Sequence, residues 1–404
     1  MREGNAVKRL RLLSSDATLL AVALRLIPGG FSCDPLNTMP QAVFYRACLL
    51  AVLLALCDSF GENVAAQSGT NGGDLVSLAF PTENDAVLNG RPEYFYMGLD
   101  RRIAGRLEWS WEGGTYGYIR NSRSTPAGWR FTRFHEGVDI APIYRDGNGE
   151  PLDEVRTVDD GRVVYVNRSP SGSDYGRYVV VKHLWEGSAF YTLYAHLAET
   201  TVRIGERVQR GQQLGVLGYS GSGLDRDRAH LHFEINLMLN EHYDLWQEER
   251  RPRWSSRHGR YHGFNLAGVS PIELITYNFR RPRASILAML SSERADVTAF
   301  VPAGPPPNLL ERHPWLCRSC NGDPPPDWAW SWEVGFTRAG RPVSIEPSDL
   351  HIASIELGRI DALVRADYLH SRILTRRGPG SALNSTARLL LSVIFTRPDQ
   401  VPNW

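Results

Sequence analysis

Four histidines and one aspartate have the residue types and spacing for hydrolytic chemistry. His135 and Asp139 lie in Phe134-His135-Glu136-Gly137-Val138-Asp139, His196 in Tyr194-Ala195-His196-Leu197, and His230 and His232 in Ala229-His230-Leu231-His232-Phe233-Glu234. Imidazole and carboxylate suit a catalytic zinc ion, which takes about three protein ligands and keeps one position for water. Ligand atoms lie about 2 Å from the metal, whereas a straight strand would separate residues 135 and 139 by roughly 13 Å. Either a helix brings them to one face or the chain bends between them. The segment has the outline of the helical His-Glu-x-x-His motif, in which the Glu is general base. Gly137 and Val138 are poor helix formers, Pro142 follows, and the fifth position is Asp. The sequence therefore predicts a bend at Gly137, with Glu136 turned away from the metal.

Leu231-His232-Phe233-Glu234-Ile235 alternates as a strand does, so His230 and His232 share one face about 6.6 Å apart. Both could bind one metal, or one could bind while the other contacts the water. Spacing alone leaves that open. A pair of surface histidines is the plain alternative for an isolated His-x-His. His-x3-Asp and a third histidine upstream weigh against it.

Taken in order, His-x3-Asp, Tyr-x-His-Leu and His-Leu-His-Phe-Glu resemble the lysostaphin/LytM-type zinc metallopeptidases, bacterial enzymes that cleave peptide bonds in peptidoglycan. The similarity runs from about Phe131 to Thr276 and includes the spaced glycines and valines of residues 202–215. The resemblance implies that His135, Asp139 and His232 are the metal ligands and that His196 and His230 are the catalytic pair. It implies Zn²⁺ as cofactor and peptidoglycan as substrate. In such a site zinc polarises the carbonyl and acidifies water, while imidazoles move protons. One departure stands out: where the family usually has a short Gly/Ser/Thr turn before His-x-His, this chain has Asp225-Arg226-Asp227-Arg228. That segment either shapes the substrate groove or is a solvated loop.

At 404 residues the chain can hold two domains and a leader. Its net charge of +1, from 45 basic and 44 acidic residues, gives no global electrostatic case for nucleic acid or an anionic membrane. Arg250, Arg251, Arg253 and Arg257 form one local basic cluster that could contact an anionic polymer, a solvated face being the commoner use. Residues 47–56 are an apolar run preceded by Arg46, and Val64-Ala65-Ala66 offers a cleavage site. This is signal-peptide architecture, too short to span a bilayer. Met39 stands where such a peptide would begin; a long cytoplasmic extension is the competing view, and Leu54-Ala55-Leu56-Cys57 hints at a lipoprotein site. Cleavage after Ala66 removes Cys33, Cys48 and Cys57. Cys317 and Cys320 then suit a local disulfide in an exported protein. A redox motif, or a zinc site with His313, are the alternatives; the latter lacks an evident fourth ligand.

The expected organisation is a leader over 1–66, an N-terminal β-rich segment over 67–130, the metallopeptidase domain over 131–280, and an accessory C-terminal domain over 285–404. The runs 162–166, 178–182, 190–194 and 215–217 read as strands, and no helix of ordinary length is expected between Phe131 and Leu217. The fold class is mainly β: an antiparallel β-sheet groove, the LytM-type duplicated hybrid motif, with an additional C-terminal α+β region. Trp109, Trp111, Tyr116 and Tyr118 alternate as one strand face or glycan platform would, core packing being the commoner use. The spaced Gly/Val pattern also occurs in biotinyl- and lipoyl-type carriers, but no modifiable Lys tip is present. In the C-terminal region 328–345 reads as strands with a turn at Ala339-Gly340. There 381–395 is ambiguous, and His351 and His370 stand alone.

The functional expectation is an exported zinc endopeptidase of the periplasm or cell envelope, or secreted, with no transmembrane span once mature. It would cut peptidoglycan cross-links or stem peptides, and the C-terminal region would contact a cell-envelope protein. Asn121, upstream of His135, could belong to a self-inhibitory strand. A non-catalytic LytM-like regulator of another hydrolase is the rival class, and a secreted protease for Gly-rich proteins the second.

Overall fold

The computed structural model describes residues 76–103, 106–125, 128–171, 173–252, 258–326, 328–362, 372–377 and 380–402. The leader with its cysteines, the 67–73 linker, Arg253, Arg257, His370 and the side chain of Asn121 lie outside the described residues. No helix among the described residues is long and apolar enough to cross a membrane.

The central element is the strand Leu231–Met238, here the histidine strand. Its alternation settles which face does what. Leu231, Phe233, Ile235 and Leu237 enter the main core with Val138, Ile140, Tyr194 and Leu217. His232, Glu234, Asn236 and Met238 therefore face the other side of the sheet, where Met238 packs with Tyr178, Leu193 and Ala195. The strand is buried along its whole length, so the histidines are not a half-exposed surface pair.

This strand belongs to a seven-stranded antiparallel sheet. Arg207–Val208, Gly161–Asn167, Tyr178–Trp185, Ser188–Ala195, the histidine strand and Leu266–Val269 pair in that order. One edge of the histidine strand is divided. Val138–Ile140 pairs with residues 231–233 and Leu266–Val269 with residues 235–238. A smaller sheet of Glu199–Thr200, Gln213–Val216 and Glu154–Arg156 closes the main core from the other side. The fold is mainly antiparallel β, as the β-branched and aromatic runs predicted, and no helix is present among the described residues between 131 and 217.

The C-terminal part is α+β. Pro342–Ser348, Ser331–Phe336, Val297–Pro302 and Glu356–Ile360 form a four-stranded sheet, packed with the helix Ser385–Ile394 in a second core. The ambiguous 381–395 segment divides into a strand, Gly380–Leu383, and this helix. The break is local chemistry: Asn384 caps the helix, its Oδ1 accepting from the Ala387 amide at 2.9 Å. The second core also takes Leu239, Tyr243 and Trp246, from the chain leaving the histidine strand. Asn240 Nδ2 donates to the carbonyls of Val393 and Thr396 at 2.6 and 2.7 Å, and Trp246 Nε1 to Ser392 Oγ at 2.7 Å.

The four upstream aromatics share no strand face. Trp109 is exposed at the end of Arg106–Ser110, a 3₁₀ turn follows at Trp111–Gly114, and Trp111 stacks on Tyr96 at 5.8 Å. Glycines 113 and 114 break the alternation. Cys317 and Cys320 form a disulfide.

Candidate metal centre

Strand register brings the residues together. His232 pairs directly with Asp139 on one side and with Ala195, the neighbour of His196, on the other. His135 precedes the aspartate strand by a bend rather than a helical turn. That bend requires Gly137. A Cβ there would sit 2.3 Å from the Phe233 carbonyl oxygen and 2.8 Å from Glu234 Cγ, so only glycine lets the bend lie against the histidine strand.

His135 Nε2, Asp139 Oδ1 and His232 Nδ1 converge. Both nitrogens lie 2.9 Å from Asp139 Oδ1 and 3.1 Å from each other. His230 Nε2 stands 3.5 Å from the same oxygen, and the His196 and His230 rings meet edge to face at 4.8 Å. All three converging residues are buried.

The outer nitrogens define the tautomers. A carbonyl oxygen can only accept, so a ring nitrogen facing one carries the proton. His135 Nδ1 donates to the Thr115 carbonyl at 2.8 Å, His196 Nδ1 to that of Ser220 at 2.9 Å, and His230 Nδ1 to that of Arg228 at 2.7 Å. His232 Nε2 donates to Glu234 Oε1 at 2.8 Å. In each neutral imidazole the lone pair is then on the inner nitrogen. Lone-pair nitrogens and a carboxylate oxygen this close repel one another unless a cation or a proton lies between them. The donor set thus fits a borderline cation such as zinc, and the Glu234–His232 pair is the carboxylate–histidine arrangement that orients such ligands.

Electrostatics follow from the same contacts. Burial opposes the His232 cation, but hydrogen bonds and charge from Asp139 and Glu234 outweigh it and push the pKa up to about 9. Burial also opposes the Glu234 anion, yet its bonds to His232, Asn236 and Tyr175 hold the carboxyl below its usual range. His196 is driven well below the usual imidazole range, first by burial and then by repulsion from His230 and His232. It is therefore neutral at pH 7. Its backbone is left-handed, with φ +64°, costing a non-glycine residue about 1–3 kcal/mol. The His196 amide to the Tyr175 carbonyl and the ring to Ser220 hold that conformation.

Several contributors carried no sequence signal beyond position. Glu234 is fully buried and accepts from His232, from Tyr175 Oη at 3.0 Å and from Asn236 Nδ2 at 2.8 Å. Its place two residues after His232, on the same strand face, was the available clue. Thr115, Ser220 and Arg228 act through main-chain carbonyls, which no side-chain pattern reveals. Asp225-Arg226-Asp227-Arg228 is exposed, though the Arg228 carbonyl orients His230 and Arg226 Nη1 donates to the Asn148 carbonyl at 2.7 Å. Glu136 is not among the converging donor atoms, and its Oε1 lies 3.9 Å from Arg372 Nη1. Tyr116 Oη donates to the Gly268 carbonyl at 2.6 Å, while the Gly117 amide donates to the His135 carbonyl at 2.8 Å.

An antiparallel sheet presenting two histidines, one aspartate and a neighbouring imidazole pair defines a metallohydrolase type of site. Residues 133–244 match peptidase family M23, and this chain carries a domain of that lysostaphin/LytM-type family. Over 102 residues the chain is 37% identical to the peptidoglycan DD-endopeptidase ShyA of Vibrio cholerae, covering 25% of this chain and 20% of that protein. Over 101 residues it is 32% identical to the murein hydrolase activator NlpD of Salmonella typhimurium, covering 25% and 22%. The lysostaphin catalytic domain of Staphylococcus simulans is similar at 24% identity, covering 30% of this chain and 75% of that one, with a TM-score of 0.22. The chain spans about a fifth of the length of these curated relatives.

Proposed function

We propose that this chain is an exported zinc-dependent endopeptidase that hydrolyses peptide bonds in the cross-links or stem peptides of bacterial peptidoglycan. The observation that carries the reading is the set of four imidazoles, each fixed from outside, around one buried aspartate. His135, Asp139 and His232 hold the metal. His196 and His230 are the catalytic pair. When bound, zinc supplies a Lewis acid for the scissile carbonyl and makes water easier to deprotonate. His230 Nε2 lies beside the ligand atoms and accepts a proton from the attacking water. His196, kept neutral by burial, is able to accept at Nε2 without first losing a proton. The pair then returns a proton to the leaving amine. The division of the chain at about 130 and 280–285, and export by the leader, belong to the same proposal.

The likeness to NlpD raises the non-catalytic activator as the second reading. The complete five-residue cluster favours the enzyme over it. The full chain is incubated with whole peptidoglycan with and without a chelator, and products are identified by mass spectrometry. Cleavage should require the metal. His196→Ala and His230→Ala should keep zinc and lose roughly 10²–10⁴-fold in turnover. Hydrolysis retained by His232→Ala would sink the assignment; neither zinc nor cleavage in the wild type would favour the activator.

A further inference from the structure

The strands Tyr178–Trp185 and Ser188–Ala195 pair Val179 with Tyr194, and continuing that register would set Arg177 opposite His196. The Leu197 amide donates to the Arg177 carbonyl instead, at 3.0 Å. His196 is therefore an extra residue on its strand, a bulge of the kind that re-aims a side chain. The return bond runs through a side chain. The Arg177 amide donates to Ser220 Oγ at 2.9 Å, and that hydroxyl donates in turn to the Leu197 carbonyl at 2.8 Å. A hydroxyl can do both because it carries a donor and two acceptor lone pairs. The main chain of the same residue reaches the ring, since the Ser220 carbonyl accepts from His196 Nδ1 at 2.9 Å. Gly176, with φ +59°, makes the room. A Cβ there would lie 2.3 Å from the Ser220 carbonyl carbon and 2.5 Å from Oγ.

We propose that Ser220 is a positioning residue for the catalytic imidazole His196. Its hydroxyl wedges the bulge open between Arg177 and Leu197, and its carbonyl fixes the ring that the bulge presents. The left-handed backbone of His196 is sparsely populated by non-glycine residues and persists only when its surroundings over-determine it. Without the hydroxyl, the Arg177 amide and Leu197 carbonyl can close on each other. His196 then relaxes towards extended backbone, and its ring leaves the Ser220 carbonyl and the edge of His230. The metal ligands are oriented by other groups, His135 by the Thr115 carbonyl and His232 by Glu234. Removing the hydroxyl should thus separate proton transfer from metal binding. The role rests on the endopeptidase reading, in which His196 moves a proton.

The test uses the full zinc-loaded chain and solubilised peptidoglycan fragments. Ser220→Ala should lose about 10–100-fold in kcat, the scale of a misplaced catalytic group, with KM, zinc affinity and circular dichroism unchanged. In nitrogen-15 spectra of the imidazoles, the Nδ1 proton of His196 should be protected from exchange in the wild type and lose that protection in Ser220→Ala. Ser220→Thr keeps the hydroxyl and should keep both kcat and the protected proton. Wild-type kcat and a protected Nδ1 proton in Ser220→Ala overturn the proposal. So does a loss of zinc affinity with kcat restored at saturating zinc, which would make the turn a brace for the metal site alone. If the wild type cleaves nothing but the proton is lost in Ser220→Ala and kept in Ser220→Thr, the hold on His196 stands and the endopeptidase reading falls.

Discussion

Replacing Glu234 by Gln tests the outer support of the metal centre, and its effect depends on pH in a way the geometry specifies. Glu234 has two opposed influences on His232. As a carboxylate accepting the Nε2 proton at 2.8 Å, it orients the ring and makes Nδ1 a better donor to a metal. The same charge helps raise the pKa of His232 to about 9, so at neutral pH a proton competes for Nδ1. The sign follows from the raised value. The protonated pair stabilises the metal-free fold fully below about pH 6.5, and this is lost as pH rises through about 9. Zinc must displace that proton. At pH 7 the displacement spans about 2 pH units, or roughly 2.7 kcal/mol, a hundredfold in apparent affinity. Loss of an outer carboxylate typically weakens metal binding by about 10–100-fold, or roughly 1.4–2.7 kcal/mol. Above pH 9 only that loss operates, and Glu234→Gln should bind zinc about 10–100-fold more weakly than the wild type. At pH 7 the variant also loses part of the proton competition, so the ratio should shrink. Competition with a chromophoric chelator at pH 7, 8 and 9.5 measures it, with circular dichroism to verify the fold. A wild-type affinity that does not rise between pH 7 and 9, or a ratio constant across that range, would refute the reasoning.

Two further outcomes follow from packing. Gly137→Ala should destabilise the protein by about 1–3 kcal/mol through overpacking and weaken zinc binding at least tenfold, because its Cβ meets the histidine-strand backbone at 2.3 Å. Calorimetry and zinc titration matching the wild type would show that the bend has room to give. His313 is fully buried between Phe190 and Trp315, neither ring nitrogen has a hydrogen-bond partner, and burial lowers its pKa to about 3. The unfolded chain then binds more protons, so stability present above about pH 6.5 is lost as pH falls toward 3, by up to roughly 4–5 kcal/mol. His313→Phe should move the acid-unfolding midpoint, followed by tryptophan fluorescence, down by at least about half a pH unit. An unchanged acid limb would place the sensitivity elsewhere, with His183 and His262, lowered to about 4, as the next groups to examine.

What the sequence disclosed and what it withheld have physical causes. Strands were legible from β-branched and aromatic runs bounded by turn residues, as in 178–182 and 190–194, and from the alternation of 231–235. The bend at Gly137 was legible because glycine, a β-branched residue and a nearby proline all oppose a helix. Strand register was not: nothing local states that His232 will pair with both Asp139 and Ala195, since register is set by long-range packing. Carbonyl acceptors at Thr115, Ser220 and Arg228 were invisible because every residue has one. The 381–395 segment was ambiguous because its apolar residues suit either period, and one cap, Asn384, decides it.

The second core recruits Leu239, Tyr243 and Trp246 from the chain immediately beyond the histidine strand. The stretch matched to the peptidase family ends at residue 244, inside the helix Tyr243–Arg250 that carries two of them. A fragment trimmed to that match would lose Trp246 and leave Leu239 and Tyr243 without the second core that covers them. It would also release the end of the strand bearing His232. The peptidase module is therefore not separable cargo: its histidine strand and the C-terminal sheet should melt as one cooperative unit, and an ion bound at one end should stabilise the other.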